Sequence, residues 1–228
     1  MHVLLLNPNT RADLTDELVA LVAPSFQDTG VAVRGATAPF GADYIASEQT
    51  YLIAAHAVLD AWHAHVQQHG RPLAVLVACF GDPGVWALRE VAGVPVMGLA
   101  EAAMREAEAI GPFAIVTGGA AWGPMLERLA RGLRLHGEQT PRGLMAVHTV
   151  AASGGALRAA PDQALAELSS ACVDVVAAQA HRARSLDAVI LGGAALGGWA
   201  RRLAPVPSVP VIDSVEAGAR WLRRVAVA

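Results

Sequence analysis

An internal repeat constrains the fold of this chain more than any other feature of its sequence. Two stretches, 74–102 and 188–217, are written to one pattern. Each has a short apolar run, a turn of small residues, a helix-like segment and a Val-Pro-Val triplet, followed five residues later by a Glu-Ala pair. The repeat predicts two related halves that face one another.

In each half the apolar run ends at a residue of interest, which is Cys79 in the first half and Gly193 in the second. The two stretches superpose with one insertion, because 15 positions separate Cys79 from Val94 and 16 separate Gly193 from Val209. Ligands of open α/β sheets bind outside the carboxyl ends of the strands. We therefore expect both positions to look into one shared cleft, where one side offers a thiol and the other offers no side chain.

Short apolar runs alternate with longer amphipathic stretches along the chain, which is typical of βα units and a parallel sheet. Predicted strands are 2–6, 31–35, 73–78, 95–98, 113–117, 144–150, 188–191 and 209–212. Helical spacing of apolar residues is clearest over 14–23, 47–66 and 162–182. The predicted fold class is α/β, with two pseudo-symmetric Rossmann-like lobes, mainly parallel sheets and an inter-lobe cleft. The predicted lobes are 1–98 with 213–228, and 99–212.

The composition argues against several classes of function. Of the 228 residues, 54% are hydrophobic and 16% are charged, so the chain can bury a large core. A net charge of -3 argues against a nucleic-acid surface, which needs clustered positive charge. The chain contains no lysine, which excludes a Schiff base to pyridoxal phosphate, a phosphate-loop lysine and a lysine nucleophile.

The sequence predicts a reduced, cytoplasmic protein. The apolar opening 3–6 stops at Asn7, so no signal peptide is expected. No apolar run approaches the roughly 20 residues that span a bilayer, so no membrane role is expected. Cys79 and Cys172 are the two cysteines, and the helical apolar spacing around Cys172 predicts a core residue.

Cys79 is the candidate catalytic residue. It directly follows the apolar run 74–78 and directly precedes the turn 80–84, whose glycines let backbone amides point into a pocket. Such amides, with the dipole of a following helix, would favour the thiolate. The alternative is a buried structural thiol.

Two other strand ends carry candidate substrate contacts. Asn9, in the segment 7–10, offers an amide suited to a carboxylate or an imide carbonyl, although Asn9 or its neighbour Thr10 could equally cap the first helix. Thr117 and Gly118 end a strand before a helix, where backbone N–H groups can bind an anion or a carbonyl oxygen. A plain tight turn is the alternative there.

The eight histidines do not predict a metal site. His63 and His65 lie two positions apart on a predicted helix and cannot share a face, and His69 lies near its end. We expect these three on a solvated helical face. His148, near the end of a strand, is the one histidine retained as a pocket candidate. Ser47 is expected to cap the second helix.

These residues resemble the Asp/Glu/hydantoin racemase family, and in particular its hydantoin and allantoin racemase branch. The matching elements, which span nearly the whole chain, are 5–10, 78–84, 94–96 with 101–102, 189–192 and 209–213. The resemblance implies a cofactor-independent enzyme of two α/β lobes, in which a cysteine from each lobe flanks the acidic carbon. One thiolate removes a proton and the opposite thiol returns one, while amides stabilise the enolate-like intermediate.

Carried onto this chain, the resemblance implies that Cys79 is an acid/base. The implied substrate contacts are residues at the strand ends, namely Asn9, Phe80, Thr117, Gly118, Gly193 and Ala194. The implied partner is a small molecule with a carboxylate or imide carbonyls. No metal, cofactor, nucleic acid or membrane is expected, and a homo-oligomer is expected because family members often form one.

The chain departs from the family at the second cysteine position, which is here Gly193. Glycine neither gives nor accepts a proton, so the two-thiol mechanism cannot operate. We favour a racemase-class isomerase in which water or another residue acts on the Gly193 side. Two hypotheses stand beside it. One is a one-cysteine enzyme acting on one face, such as a decarboxylase, a lyase or a stereospecific isomerase. The other is a binding protein without turnover.

Arylmalonate decarboxylase also keeps a single cysteine, and its resemblance to this chain supports the one-cysteine hypothesis. Its cysteine lies in the other lobe, so the present chain would be a mirror arrangement. If the cleft is symmetric, we expect the substitution Gly193→Cys to gain or greatly speed racemisation.

Overall fold

The computed structural model of the chain describes residues 1–180, 184–203 and 209–227. Two compact units make up the chain: Met1–Leu99 with Val215–Ala228, and Ala100–Ser214. The strands are β1 His2–Asn7, β2 Ala32–Thr37, β3 Val75–Val77, β4 Val96–Gly98, β5 Phe113–Gly118, β6 Leu144–Val150, β7 Ala188–Gly192 and β8 Val211–Asp213. The helices are α1 Ala12–Val22, α2 Glu48–His69, α3 Val85–Ala92, α4 Leu99–Ile110, α5 Trp122–Gly132, α6 Gly154–Ala159, α7 Pro161–Ala180 and α8 Ser214–Ala226.

Each unit holds one four-stranded sheet in which every pairing is parallel. The strand orders are β2-β1-β3-β4 in the first unit and β6-β5-β7-β8 in the second. Counted within each unit, the two orders are identical, as the internal repeat predicts. The predicted α/β class is confirmed, and all eight predicted strands form within two residues of their predicted bounds.

The central strands of both sheets are buried, which explains why they are continuous apolar runs. In the first unit Leu4, Leu6, Val75 and Val77 pack in one cluster with Trp62 of α2. The second unit has an equivalent cluster around β5 and β7, and Cys172 of α7 is fully buried within it. The prediction that Cys172 is a core residue is confirmed.

The three helices predicted most clearly are all present. Ser47 caps α2 as predicted, because its Oγ accepts a hydrogen bond from the Thr50 amide at 3.2 Å and its own amide donates to Thr50 Oγ1 at 3.0 Å. Helix α7 is described as far as Ala180, and the predicted helix end at 181–182 lies outside the described residues. Within the described ranges, no helix is both long and apolar enough to cross a bilayer.

The fourth strand of each sheet runs directly into a helix that is grouped with the other unit. Helix α4 follows β4 and continues into the second unit, whereas α8 follows β8 and belongs to the first. Helix α8 lies close against β3, since a Cβ added at Gly218 would lie 2.6 Å from Leu76 Cδ2. The first unit is therefore completed by the last helix of the chain.

Of the three α2 histidines expected on a solvated face, His63 and His69 are exposed and His65 is buried. His65 is only 5% exposed, and its Nε2 lies 2.9 Å from Nε2 of the buried His2. The His69 ring is centred 5.0 Å from the His65 ring, and its Nδ1 accepts a hydrogen bond from Arg34 at 2.8 Å. The prediction was wrong for His65 because α2 packs over the start of β1. Among the described residues, no group of three or more His, Cys, Asp or Glu is arranged to hold a metal.

Candidate active site

Cys79 lies at the carboxyl end of the buried strand β3, one residue after Ala78. The Ala78 amide donates to the Leu6 carbonyl oxygen at 2.8 Å and so extends the pairing of β1 with β3 to the edge of the site. The Cys79 side chain is 8% exposed. The strand-end position predicted for this thiol is therefore the observed one, and the thiol is largely shielded from water.

The turn after Cys79 is held against α2 by two contacts. Tyr51 of α2 donates its hydroxyl to the Gly81 carbonyl oxygen at 3.0 Å. Gly84 has a left-handed φ of 75°, and a Cβ there would lie 2.7 Å from the Ala55 carbonyl oxygen. Only glycine fits such a backbone so close to α2. The packing of α2 therefore fixes the turn that carries the thiol.

The expectation that this turn favours a thiolate was wrong. The amides of Gly81 and Asp82 donate to the Cys79 carbonyl oxygen, at 2.9 and 3.1 Å, and are therefore not directed at its sulfur. Burial raises the pKa of the Cys79 thiol above its ordinary value, and the negative charge of Asp82 raises it further. Both effects disfavour a buried anion and therefore favour the neutral thiol.

Asp82 is a residue of the site that the sequence reasoning missed. It is 3% exposed and adopts a left-handed φ of 59°, which is uncommon for a residue other than glycine. Its carboxylate lies against Gly98, where an added Cβ would lie 2.0 Å from Asp82 Cγ. The available signal was the glycine at the end of β4, which leaves room for this carboxylate.

The carboxyl end of β1 brings an asparagine network beside the thiol, because Leu6 pairs with Val77. Asn7 is fully buried, and its Nδ2 donates to Asn9 Oδ1 at 2.9 Å and to Thr15 Oγ1 at 3.0 Å. Asn9 Oδ1 also accepts from the Arg11 amide at 3.0 Å. Asn9 thus shapes the turn that leads into α1.

The prediction that Asn9 or Thr10 caps α1 needs correction. The N-cap position is Arg11, which makes no side-chain capping hydrogen bond. The observed N-cap lies two residues beyond Asn9 and one beyond Thr10, and the Asn9 side chain is used within the preceding turn. Phe80, predicted to contact substrate, is buried within the first unit.

In the second unit the predicted residues lie together at the ends of neighbouring strands. Thr117 is buried and pairs with Gly192, the residue before Gly193. Gly118 is tightly packed, since a Cβ there would lie 2.7 Å from both the Ala152 carbonyl oxygen and Leu157 Cδ1. Thr117, Gly118 and Gly193 thus lie at the carboxyl ends of two paired strands, and the half-buried Ala194 follows Gly193.

The backbone at Gly193 has a conformation that favours glycine. Its φ of 145° is a conformation that side chains rarely adopt, and a Cβ would lie 3.3 Å from Leu196 Cδ1 and Cγ. Leu196 is itself part of the buried core of this unit. The Gly193 amide donates to Oγ of the buried Ser214 at 3.2 Å. The backbone and its neighbours are therefore adjusted to the absence of a side chain, and a cysteine here would be strained.

Comparison with known proteins places the chain among racemases. The family model described as Asp/Glu/Hydantoin racemase matches residues 3–222. The hydantoin racemase of Paenarthrobacter aurescens is 32% identical over 234 positions, covering 96% of this chain and 89% of that protein.

Two solved structures resemble this chain over nearly its whole length. The allantoin racemase from Klebsiella pneumoniae superposes with a TM-score of 0.83 at 27% identity and covers 99% of this chain and 87% of that one. The allantoin racemase from Pseudomonas fluorescens gives a TM-score of 0.82 at 25% identity, with coverage of 100% and 93%. With its paired parallel sheets and its strand-end thiol, the chain belongs to the Asp/Glu/hydantoin racemase family and is an enzyme of the racemase class of isomerases.

Proposed function

We propose that this enzyme moves a proton at an acidic C–H carbon of an amino-acid derivative or a hydantoin-like ring, without a cofactor, and that Cys79 is the acid/base. One observation carries the proposal: the thiol lies at the carboxyl end of a central strand, in a turn fixed by Tyr51 and Gly84. A positioned group of this kind contributes about 10² to 10⁴ in rate by general acid–base catalysis.

The substrate class follows from what the strand ends can bind. Loss of the acidic proton places negative charge on a carboxylate or imide oxygen, and hydrogen-bond donors at that oxygen stabilise the enolate-like intermediate. We assign this role to Asn9, Thr117 and Gly118, with Phe80, Gly193 and Ala194 as further substrate contacts. Stabilising the intermediate lowers the pKa of the C–H carbon toward that of a thiol, so that proton transfer between the carbon and Cys79 becomes feasible.

The proton on the Gly193 side must come from a group other than cysteine. In our preferred mechanism a water molecule acts there, and the enzyme inverts its substrate as an isomerase. We further propose a cytoplasmic homo-oligomer that takes a small molecule. The family relationship supports these assignments.

A second function is favoured by the Leu196 contact. Because Leu196 lies against the position that a side chain at Gly193 would occupy, it presents an apolar surface there. An enzyme built this way would deliver a proton to one face only, as a decarboxylase, a lyase or a stereospecific isomerase does. Cys79 keeps the same role under both functions.

Proton exchange in D2O separates the two functions. Single enantiomers of 5-substituted hydantoins, allantoin and acidic amino acids, with an arylmalonate alongside, would be followed by NMR and chiral chromatography. Enzyme-free samples correct for spontaneous exchange. Deuterium entry with inversion supports the isomerase. Exchange with retention, or release of carbon dioxide to give one enantiomer, supports one-sided transfer. No catalysed exchange or decarboxylation by the folded protein would reject both.

A further inference from the structure

The proposed role of Cys79 leaves open which protonation state the thiol holds when the reaction begins. We propose that Asp82 is a positioning residue that reinforces the effect of burial and keeps Cys79 as a neutral thiol at rest, so that this cysteine enters the reaction as a proton donor. The inference rests on the proposed function and adds a residue to it.

The first observation is that Asp82 and Cys79 share one tight turn. The Asp82 amide donates to the Cys79 carbonyl oxygen at 3.1 Å, and the Asp82 carbonyl oxygen accepts from the Val85 amide at 3.3 Å. The left-handed φ of 59° at Asp82 costs free energy, so surrounding contacts must hold it. The turn therefore fixes where the carboxylate lies relative to the thiol.

The second observation is the place prepared for the carboxylate. Gly98 pairs with Val77 at the ends of β4 and β3, and Cys79 follows two residues after Val77. The Asp82 carboxyl atoms would lie 2.0 to 2.4 Å from a Cβ at Gly98, so any larger residue would displace them. Asp82 and Cys79 are both buried beside these two neighbouring strand ends.

The electrostatic consequence follows from burial. Two negative charges within one buried, poorly solvated turn repel one another far more strongly than in water. With Asp82 ionised, a thiolate at Cys79 is disfavoured both by desolvation and by this charge. Once the substrate has lost a proton to water on the Gly193 side, or has lost carbon dioxide, the bonding pair left on carbon forms the enolate-like intermediate. The neutral thiol then donates: the S–H bond breaks, its electron pair stays on sulfur, and the proton forms the new C–H bond with the electron pair of that carbon. Solvent water or the next substrate then returns a proton to the thiolate.

A purely structural role for Asp82 would fix the turn without affecting the charge on sulfur. Alkylation by iodoacetamide distinguishes these roles, because only the thiolate reacts. The rate at each cysteine would be measured by mass spectrometry between about pH 7 and about pH 10, around the ordinary thiol pKa. Cys172 serves as an internal control. It is a buried thiol in the other unit, and burial alone raises its pKa.

The substitution Asp82→Asn should move the alkylation profile of Cys79 to lower pH and leave that of Cys172 unchanged. A shift of one pKa unit gives about tenfold more thiolate, and the lower nucleophilicity of that thiolate reduces the rate gain to about threefold. Asp60→Asn, which removes an exposed carboxylate on α2, is the matched control and should shift nothing. An unchanged Cys79 profile in Asp82→Asn would overturn the inference.

Two further measurements keep the test decisive if Asp82→Asn does not fold. Gly98→Ala displaces the carboxylate without removing it and should give a smaller shift in the same direction. In the wild-type protein, the S–H stretching band in the Raman spectrum should show Cys79 as a thiol at neutral pH. A thiolate there would reject the proposal.

These readouts need no substrate, so the inference and the proposed function can fail separately. A shifted alkylation profile in a protein without turnover would support the role of Asp82 and reject the proposed function. Full turnover with an unchanged profile would support the function and reject the role of Asp82.

Discussion

The carboxyl ends of β3 and β7 occupy the same place in two sheets of identical strand order, yet they differ in chemistry. At the first, Cys79 lies beside the buried Asp82 in a turn held by Tyr51. At the second, Gly193 adopts a backbone that disfavours side chains and lies against Leu196. The second strand end therefore differs from the first in its backbone and its neighbours as well as in its side chain, so a cysteine could not be placed at Gly193 as an isolated substitution.

The helices after the fourth strands show what the two repeats still share. Glu101 of α4 accepts a hydrogen bond from Arg105 at 2.8 Å, and Glu216 of α8 lies 3.6 Å from Arg220. In each pair the arginine follows the glutamate by four residues, which is about one helical turn. The repeat therefore preserves the packing and charge pairing of the scaffold, while the strand ends differ in the groups that could transfer a proton.

The largest effect is expected from removing the thiol at the end of β3. Cys79→Ser should lower the catalysed exchange rate by about 10² to 10⁴, because a hydroxyl is a far weaker acid than a thiol at this position. Cys172→Ala, which changes the buried cysteine of the other unit, is the control and should retain the rate. Exchange at the wild-type rate in Cys79→Ser would remove Cys79 from the mechanism.

A cysteine at Gly193 tests the other strand end. Gly193→Cys alone should lower the free energy of unfolding by about 1 to 3 kcal/mol, the usual cost of a strained backbone conformation, and should gain little racemisation. Adding Leu196→Ala makes room for the new side chain. The two substitutions should therefore be non-additive, with a coupling of roughly 0.5 to 3 kcal/mol.

Denaturant unfolding of the two single variants and the double variant measures this coupling, and chiral chromatography follows racemisation. We expect racemisation to rise more in the double variant than in Gly193→Cys. Equal racemisation in both, with additive stabilities, would show that Leu196 does not restrict this position.

Acid should destabilise the first unit before the second, because the buried pair of His2 and His65 belongs to the first unit. Burial, and after it the electrostatic effects of His2, His69 and Arg34, hold the pKa of His65 at about 4. Burial and the guanidinium of Arg34 also lower the pKa of His2. The folded chain therefore binds fewer protons than the unfolded chain in this range. The stabilising contribution is complete above the ordinary histidine pKa of about 6.5 and is lost as the pH falls toward 4.

Hydrogen exchange measured by mass spectrometry at decreasing pH would locate this loss. Backbone amides of β1 and α2 should lose protection before those of β5 and β7. His65→Leu should weaken the pH dependence, whereas His63→Leu, an exposed position on the same helix, should leave it intact. Simultaneous loss in both units would contradict the assignment to the histidine pair.

The smallest effect concerns the equivalent ion pairs of α4 and α8. Arg105→Gln should cost up to about 1 kcal/mol and Arg220→Gln about 0.3 kcal/mol, since exposed helical pairs contribute little and burial of one partner strengthens them. Glu101 is the more buried carboxylate and makes the shorter contact. Thermal unfolding of the two variants would check the order, and a larger loss in Arg220→Gln would contradict it.

The strands could be predicted because parallel strands covered on both faces are continuous apolar runs bounded by glycine and proline. The same rule located Cys79, Thr117 and Gly193 at strand ends. The protonation of Cys79 could not be predicted, because it depends on which oxygen the Gly81 and Asp82 amides reach in a particular turn. The burial of His65 depends on how α2 packs on β1. The spacing of histidines within one helix gives no information about that packing.

The position of α8 has a consequence for biosynthesis. The second unit is one continuous stretch of chain, whereas the first needs a helix that the ribosome makes only after the whole of the second unit. The nascent chain can therefore complete its second sheet and flanking helices while the apolar side of β3 near Leu76 still lacks Gly218 and the rest of α8. Although domains generally fold in their order of synthesis, the unit that carries the thiol would here mature second.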